Sequence, residues 1–294
     1  MKQAAILIAV LAIGIGSWAQ DKTTGQSAPA GQAAPAGQAV PAGQATAAQG
    51  KRPPAFKTAQ ESDAFRAALG VNDPAAAEKA ADDFAAKYPD SEVRVLLYKS
   101  AMQKYQTVNN ADKMLEMGQK ALTFDPDDPE ALVGVATVLA ERTRDTDLDK
   151  DQKIAEAKKD AERALVTVDT DVPTSGYPPE KIAQYKGFIR SEAYAVIGTL
   201  AYNAKNWAEA ETNLRKSIDA FPEQVDSVAV LRLAIALDNQ NKVPEALKYA
   251  NQAVDLTKDR ADSAAGKAAR AEQDRLTRLN SGTAPGQTAA PVKN

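Results

Sequence analysis

The chain contains no cysteine and no histidine. The first absence excludes disulfides, thiolate zinc sites and a cysteine nucleophile, and the second removes the commonest general base and transition-metal ligand. Aromatic residues are scarce at 5 %. Alanine is abundant, and because it is the best helix former and a poor strand former, the composition points to an all-α fold of closely packed helices. Lys and Arg (36) nearly balance Asp and Glu (39), for a net charge of −3. That balance lacks the basic excess a nucleic-acid-binding face requires, so no nucleic-acid partner is expected. Glycine-rich phosphate loops and nucleophile elbows are also missing, which leaves a carboxylate pair as the only acid–base machinery. The chain therefore reads as non-catalytic, with no catalytic residue, cofactor or metal expected. A hydrolase of cell-wall material is the enzyme reading that survives.

The two ends differ from the middle. Residues 1–19 carry one charge at Lys2, an apolar run from Ala4 to Ile15, and small residues at Ser17 and Ala19. The run is short for a bilayer span, which takes about 20 residues, and the small residues suit cleavage before Gln20. A signal peptide is expected, with no stable membrane insertion after its removal; an uncleaved anchor is the alternative. No cysteine follows the run and no Asn-X-Ser/Thr acceptor occurs, which fits an exported, periplasmic bacterial protein. Residues 20–56 turn to Ala, Pro, Gly and Gln, with PAGQA returning at Pro29, Pro35 and Pro41. Such a repeat has nothing bulky to bury, so a disordered linker is expected there, and a second disordered tail over 281–294.

Between them, residues 57–280 show apolar positions at helical spacing in successive pairs. Glu61 to Gly70 and Asp73 to Tyr88 form the first pair, with Asp73 as N-cap and Pro74 in the first turn. Tyr98, Ala101, Met102 and Tyr105 face Met114, Gly118, Ala121 and Leu122 in the second. Leu132, Val135, Ala136 and Leu139 begin a third, whose partner stripe (Ala157, Ala161, Ala164, Leu165) is delayed by an insertion from Thr143 to Asp151. After an irregular stretch from Thr167 to Pro179, a helix starts at Pro178-Pro179-Glu180 and runs into the clearest pair, Ser191 to Pro222. The fifth pair sets Val230, Leu233, Ala234 and Leu237 against Ala246, Ala250, Ala253 and Val254. Lys258 stands at its closing place, so that helix is free to continue, and Asp259 to Leu279 reads as a solvating terminal helix.

In the clearest pair, Tyr194, Ile197, Gly198, Ala201, Ala210, Leu214, Ser217 and Pro222 occupy the eight places that define the tetratricopeptide repeat, and Trp207 takes the aromatic place after the turn. The chain resembles that family over most of Glu61 to Lys258. The resemblance implies a right-handed solenoid of helix-turn-helix units whose first helices line a concave groove for a protein or peptide partner. By alignment that groove presents Lys99, Gln103 and Gln106, then Thr199, Tyr202 and Asn203, then Arg232, Asp238 and Asn239. These do not gather the positive charge with which the family grips a C-terminal carboxylate. The expected function is a non-catalytic interaction scaffold of the cell envelope; the rival is a structural spacer with no groove ligand. Oligomeric state is not legible.

Two acidic clusters invite a metal reading. Asp145, Asp147, Asp149, Asp151 and Glu156 follow calcium-loop spacing, but Lys150 stands where the loop needs glycine. The alternative is a solvated loop whose last Asp caps the next helix. Asp125, Asp127, Asp128 and Glu130 sit at a repeat junction and read as helix caps.

Overall fold

The computed structural model describes residues 50–281; the signal peptide expected at 1–19, most of the expected linker and the tail beyond 281 lie outside them. Among the described residues there are eleven α-helices and no strand. They are α1 (Ala59–Leu69), α2 (Pro74–Lys87), α3 (Arg94–Thr107), α4 (Ala111–Phe124), α5 (Pro129–Arg142), α6 (Lys150–Thr170), α7 (Pro179–Asn203), α8 (Trp207–Ala220), α9 (Ser227–Asp238), α10 (Val243–Leu256) and α11 (Ala264–Asn280). Each packs on the helices before and after it, and the first helices of successive pairs adjoin, so the chain is an all-α solenoid of consecutive helix pairs.

Local chemistry sets the helix starts. Asp73, Asp128 and Asp226 accept hydrogen bonds from amides of the first turns of α2, α5 and α9, and Pro74 and Pro129 follow at positions whose amide needs no partner. At α1, Thr58 accepts from the amide of Glu61 while the Glu61 carboxylate reaches back to the amide of Lys57, a reciprocal cap.

Three turns between paired helices are built alike. Asn109, Lys205 and Asn241 stand at φ 58°, 58° and 60°, in the left-handed region. Around each, the following amide bonds back to the carbonyl five residues earlier: Asn110 to Tyr105 (3.0 Å), Asn206 to Ala201 (2.9 Å) and Lys242 to Leu237 (3.0 Å). These are Schellman closures, which satisfy the last carbonyls of one helix and reverse the chain into the next.

Alanine makes the seams thin. Ala157 and Ala161 of α6, Ala210 of α8, and Ala246 and Ala250 of α10 are wholly buried. In the α7–α8 pair a Cβ on Gly198 would lie 2.8 Å from Cγ of Leu214, so only glycine permits that approach. Ser191 donates across the same seam to the Ser217 carbonyl at 2.8 Å, and the two hydroxyls lie 3.3 Å apart. Tyr194 is less buried than the sequence stripe implies; Ala193 and Val196 fill the core beside Ile197, and Tyr194 lies under the Lys216 ammonium at 5.3 Å.

Four sequence expectations need correction. Residues 50–56, expected as the end of a disordered linker, lie against the array. Lys51 donates to Asp125 at 2.7 Å and stands 3.6 Å from Asp171, Arg52 pairs with Glu92, and Phe56 meets Phe65 at 5.3 Å. Two cations and an aromatic give this stretch anchors that the PAGQA repeats lack. The helix expected to end before Thr167 continues to Thr170, because Thr167 and Val168 are buried against the next helix. The last Asp of the insertion does not cap α6: Asp151 already lies in its first turn, and Asp149, the residue before the helix, makes no cap bond. Finally, α10 stops at Leu256, where the buried Thr257 hydroxyl donates to the Ala253 carbonyl and a short 3-10 turn follows.

Candidate functional site

The first helices α3, α5, α7 and α9 adjoin one another, and the structure divides the nine residues of the expected groove into two groups. Lys99 and Gln103 are not open to a partner. Glu130, at the start of α5, accepts from Gln103 and from Tyr185 of α7 (2.9 Å), and its carboxylate lies 3.1 Å from Lys99. Lys99 also donates to Asp128 at 2.8 Å, and Asp128 in turn caps α5 through the Ala131 amide at 2.9 Å. Burial pulls the Lys99 pKa down, but Asp128 and Glu130 outweigh it and hold the ammonium well above its ordinary value. For Tyr185, burial and the neighbouring Glu130 push the phenol well up, with Lys99 opposing. The network ties α3, α5 and α7 together, and every member is satisfied.

Further along, Arg232 donates to Thr199 at 2.8 Å and stands 4.0 Å from Glu141. Asp238 accepts from Arg275 of α11, which also holds Glu272 at 2.9 Å. The Asn239 amide turns onto its own helix and donates to the Ile235 carbonyl. Tyr202 packs edge-on against Trp207 at 5.6 Å; burial raises its phenol pKa, Arg232 opposing and Glu272 adding. The side-chain amides of Gln106 and the exposed Asn203 and the Tyr202 hydroxyl make no hydrogen bond among the described residues. They sit in the last turns of α3 and α7, on the rim from which the chain turns into α4 and α8.

Sequence reasoning missed Glu130 as the hub of a network, because a glutamate after Pro129 reads equally well as a first-turn acid. It missed Tyr185 because that residue precedes the repeat pattern. It also missed Glu192, half-buried on α7, whose carboxyl is pushed up to about 7 by burial, with Asp226 and Glu141 adding. The junction acids are shared out: Asp128 caps, Asp127 pairs with Arg163 at 2.5 Å, and Asp125 holds Lys51. In the insertion, Lys150 pairs with Asp145 at 2.7 Å, and Lys153 with Asp149 at 2.9 Å and Asp147 at 3.4 Å. Among the described residues, no group of three or more acids is arranged to hold a metal.

The second helices α4 and α6 flank an open cleft of about 610 Å³, lined among others by Leu122, Ala155, Glu156 and Asp160. Burial, then Glu156, raises the Asp160 carboxyl to about 6. Among the described residues no helix is long and apolar enough to cross a membrane.

The sequence matches no family model, and no curated protein is significantly similar to it. Among solved structures, the assembly chaperone of RpL4 (Acl4, residues 1–338) is similar at a TM-score of 0.36 and 14% identity, over 75% of this chain and 99% of that one.

Proposed function

We propose that this chain is an exported, non-catalytic scaffold of the tetratricopeptide type that holds a peptide or helical segment of another protein along its concave face. The observation that carries this reading is the contrast within that face. Lys99, Gln103, Asp238 and Arg232 are bound to other parts of the array, whereas the side chains of Gln106, Tyr202 and Asn203 make no hydrogen bond to it. An aromatic ring beside free amides suits recognition of backbone and side-chain amides in an extended or helical peptide. The order of the chain supports an envelope scaffold: an export signal, a low-complexity linker and then the array.

Site-specific photocrosslinking tests it, with the probe at Tyr202 and a control at the exposed Lys216 of α8. A discrete protein adduct at Tyr202 and none at Lys216 supports a groove ligand. Absence of adducts at both, in cells making normal amounts of the protein, rejects the scaffold in favour of a spacer.

A further inference from the structure

The cleft between α4 and α6 is lined along the first half of α6 by Gln152, Glu156 and Asp160, and past these residues two cations bridge the helices. Arg163 of α6 pairs with Asp127 just after α4, and Lys51, which belongs to neither helix, spans their ends. Asp125 is the C-cap of α4 and Asp171 the C-cap of α6, so one ammonium lies against two carboxylates and two negative helix ends. The backbone of Lys51 is fixed as well, its amide donating to the Thr170 carbonyl at 2.9 Å. Gly50 lies so close to the Val172 carbonyl that a Cβ would approach it to 2.2 Å, leaving room only for glycine. From there the segment runs past Glu92, which takes Arg52 and the Ala55 amide (3.2 Å), to Phe56 on α1.

We propose that residues 50–56 are a strap that sets the angle between the second and third helix pairs, with Lys51 as its clasp. Two helix ends of like polarity, each bearing an aspartate, repel one another when no cation stands between them. Removing Lys51 therefore drives Asp125 and Asp171 apart and widens the cleft. The chain before Gly50 joins the array at this clasp, so a pull on it acts on the clasp directly and changes the curvature of the concave face. The device needs no groove ligand and stands or falls separately from the scaffold reading.

The absence of cysteine makes the test clean. Gln119 and Gln152 are exposed on opposite walls of the cleft, and Gln119→Cys with Gln152→Cys gives a spin-label pair across it in the otherwise unaltered chain. Pulsed electron resonance should report a narrow distance distribution in that parent. Adding Lys51→Ala should lengthen and broaden it, and Lys51→Arg should restore it, since a guanidinium can span the same two carboxylates. A Lys51→Ala distribution indistinguishable from the parent overturns the proposal. Loss of helical circular dichroism in Lys51→Ala overturns it too, because a strap adjusts pairs that fold without it.

Discussion

Tyr185 donates its phenolic hydrogen to Glu130 at 2.9 Å across 55 positions of sequence. The bond joins the extended first half of α7 to the start of α5, and Lys99 completes the group from α3. Removing the hydroxyl leaves a buried carboxylate with one donor fewer. Tyr185→Phe should cost about 1.5–3 kcal/mol, the range for hydrogen bonds to charged groups. Lys99→Met strands two buried carboxylates and should cost more, about 3–5 kcal/mol. Urea unfolding of both variants checks the order; a Lys99→Met variant as stable as the parent would show that the network contributes nothing net.

Ala210 is wholly buried where α8 meets α7, and that seam has no space for a larger side chain. Ala210→Leu should destabilise by about 1–3 kcal/mol through overpacking. A change within error in the unfolding midpoint would mean that the seam relaxes without penalty.

Lys205 holds a left-handed backbone at φ 58°, a conformation that costs an L-residue with a Cβ about 1–2 kcal/mol. Lys205→Gly should therefore stabilise, by less than that amount because glycine also gives the unfolded chain more freedom. Lys205→Val should destabilise. Thermal melts of the two variants should move in opposite directions; movement in the same direction refutes the turn geometry.

Asp160 carries a carboxyl raised from 3.8 to about 6, chiefly by burial. Below the lower value it is protonated in both folded and unfolded chains. Between the two values the folded chain keeps a proton that the unfolded chain has lost, so this group makes stability fall as pH rises through that window. Asp160→Asn should flatten that part of the profile. Denaturant midpoints measured across the window for parent and variant decide it, and equal slopes would mean that Asp160 titrates normally.

Helix pairing was legible because it rests on local periodicity and caps: Asp73, Asp128 and Gly198 each dictate a geometry that needs no knowledge of the rest of the chain. The long helix beginning at Pro179 was legible for the same reason, since no further proline interrupts it. What escaped the sequence depends on distant partners. Lys99 on a groove-facing position reads as a recognition residue until Glu130 and Asp128 are placed beside it. Lys51-Arg52 reads as the end of a low-complexity segment until Asp125, Asp171 and Glu92 are seen converging on it. The three reversals at Asn109, Lys205 and Asn241 were partly hidden because a lysine stands where asparagine or glycine is usual. For the groove, alignment supplied the face but not the occupancy, because hydrogen bonds between neighbouring helices are invisible to a pattern within one repeat.

The greater length of α6 and α7, 21 and 25 residues against 11 to 17 for the other helices, bears on the order of assembly. In a one-dimensional array each unit is held only by its neighbours, so the unit with the largest interfaces is the last to melt and the first to form. Here the most extensive interface joins α7 to α8, a pair adjacent in sequence and flanked on both sides by further helices. The chain is thus built to condense from its middle outward, with the terminal pairs fraying first. A protease acting on the native protein should trim from both ends and leave a resistant fragment centred on α7 and α8.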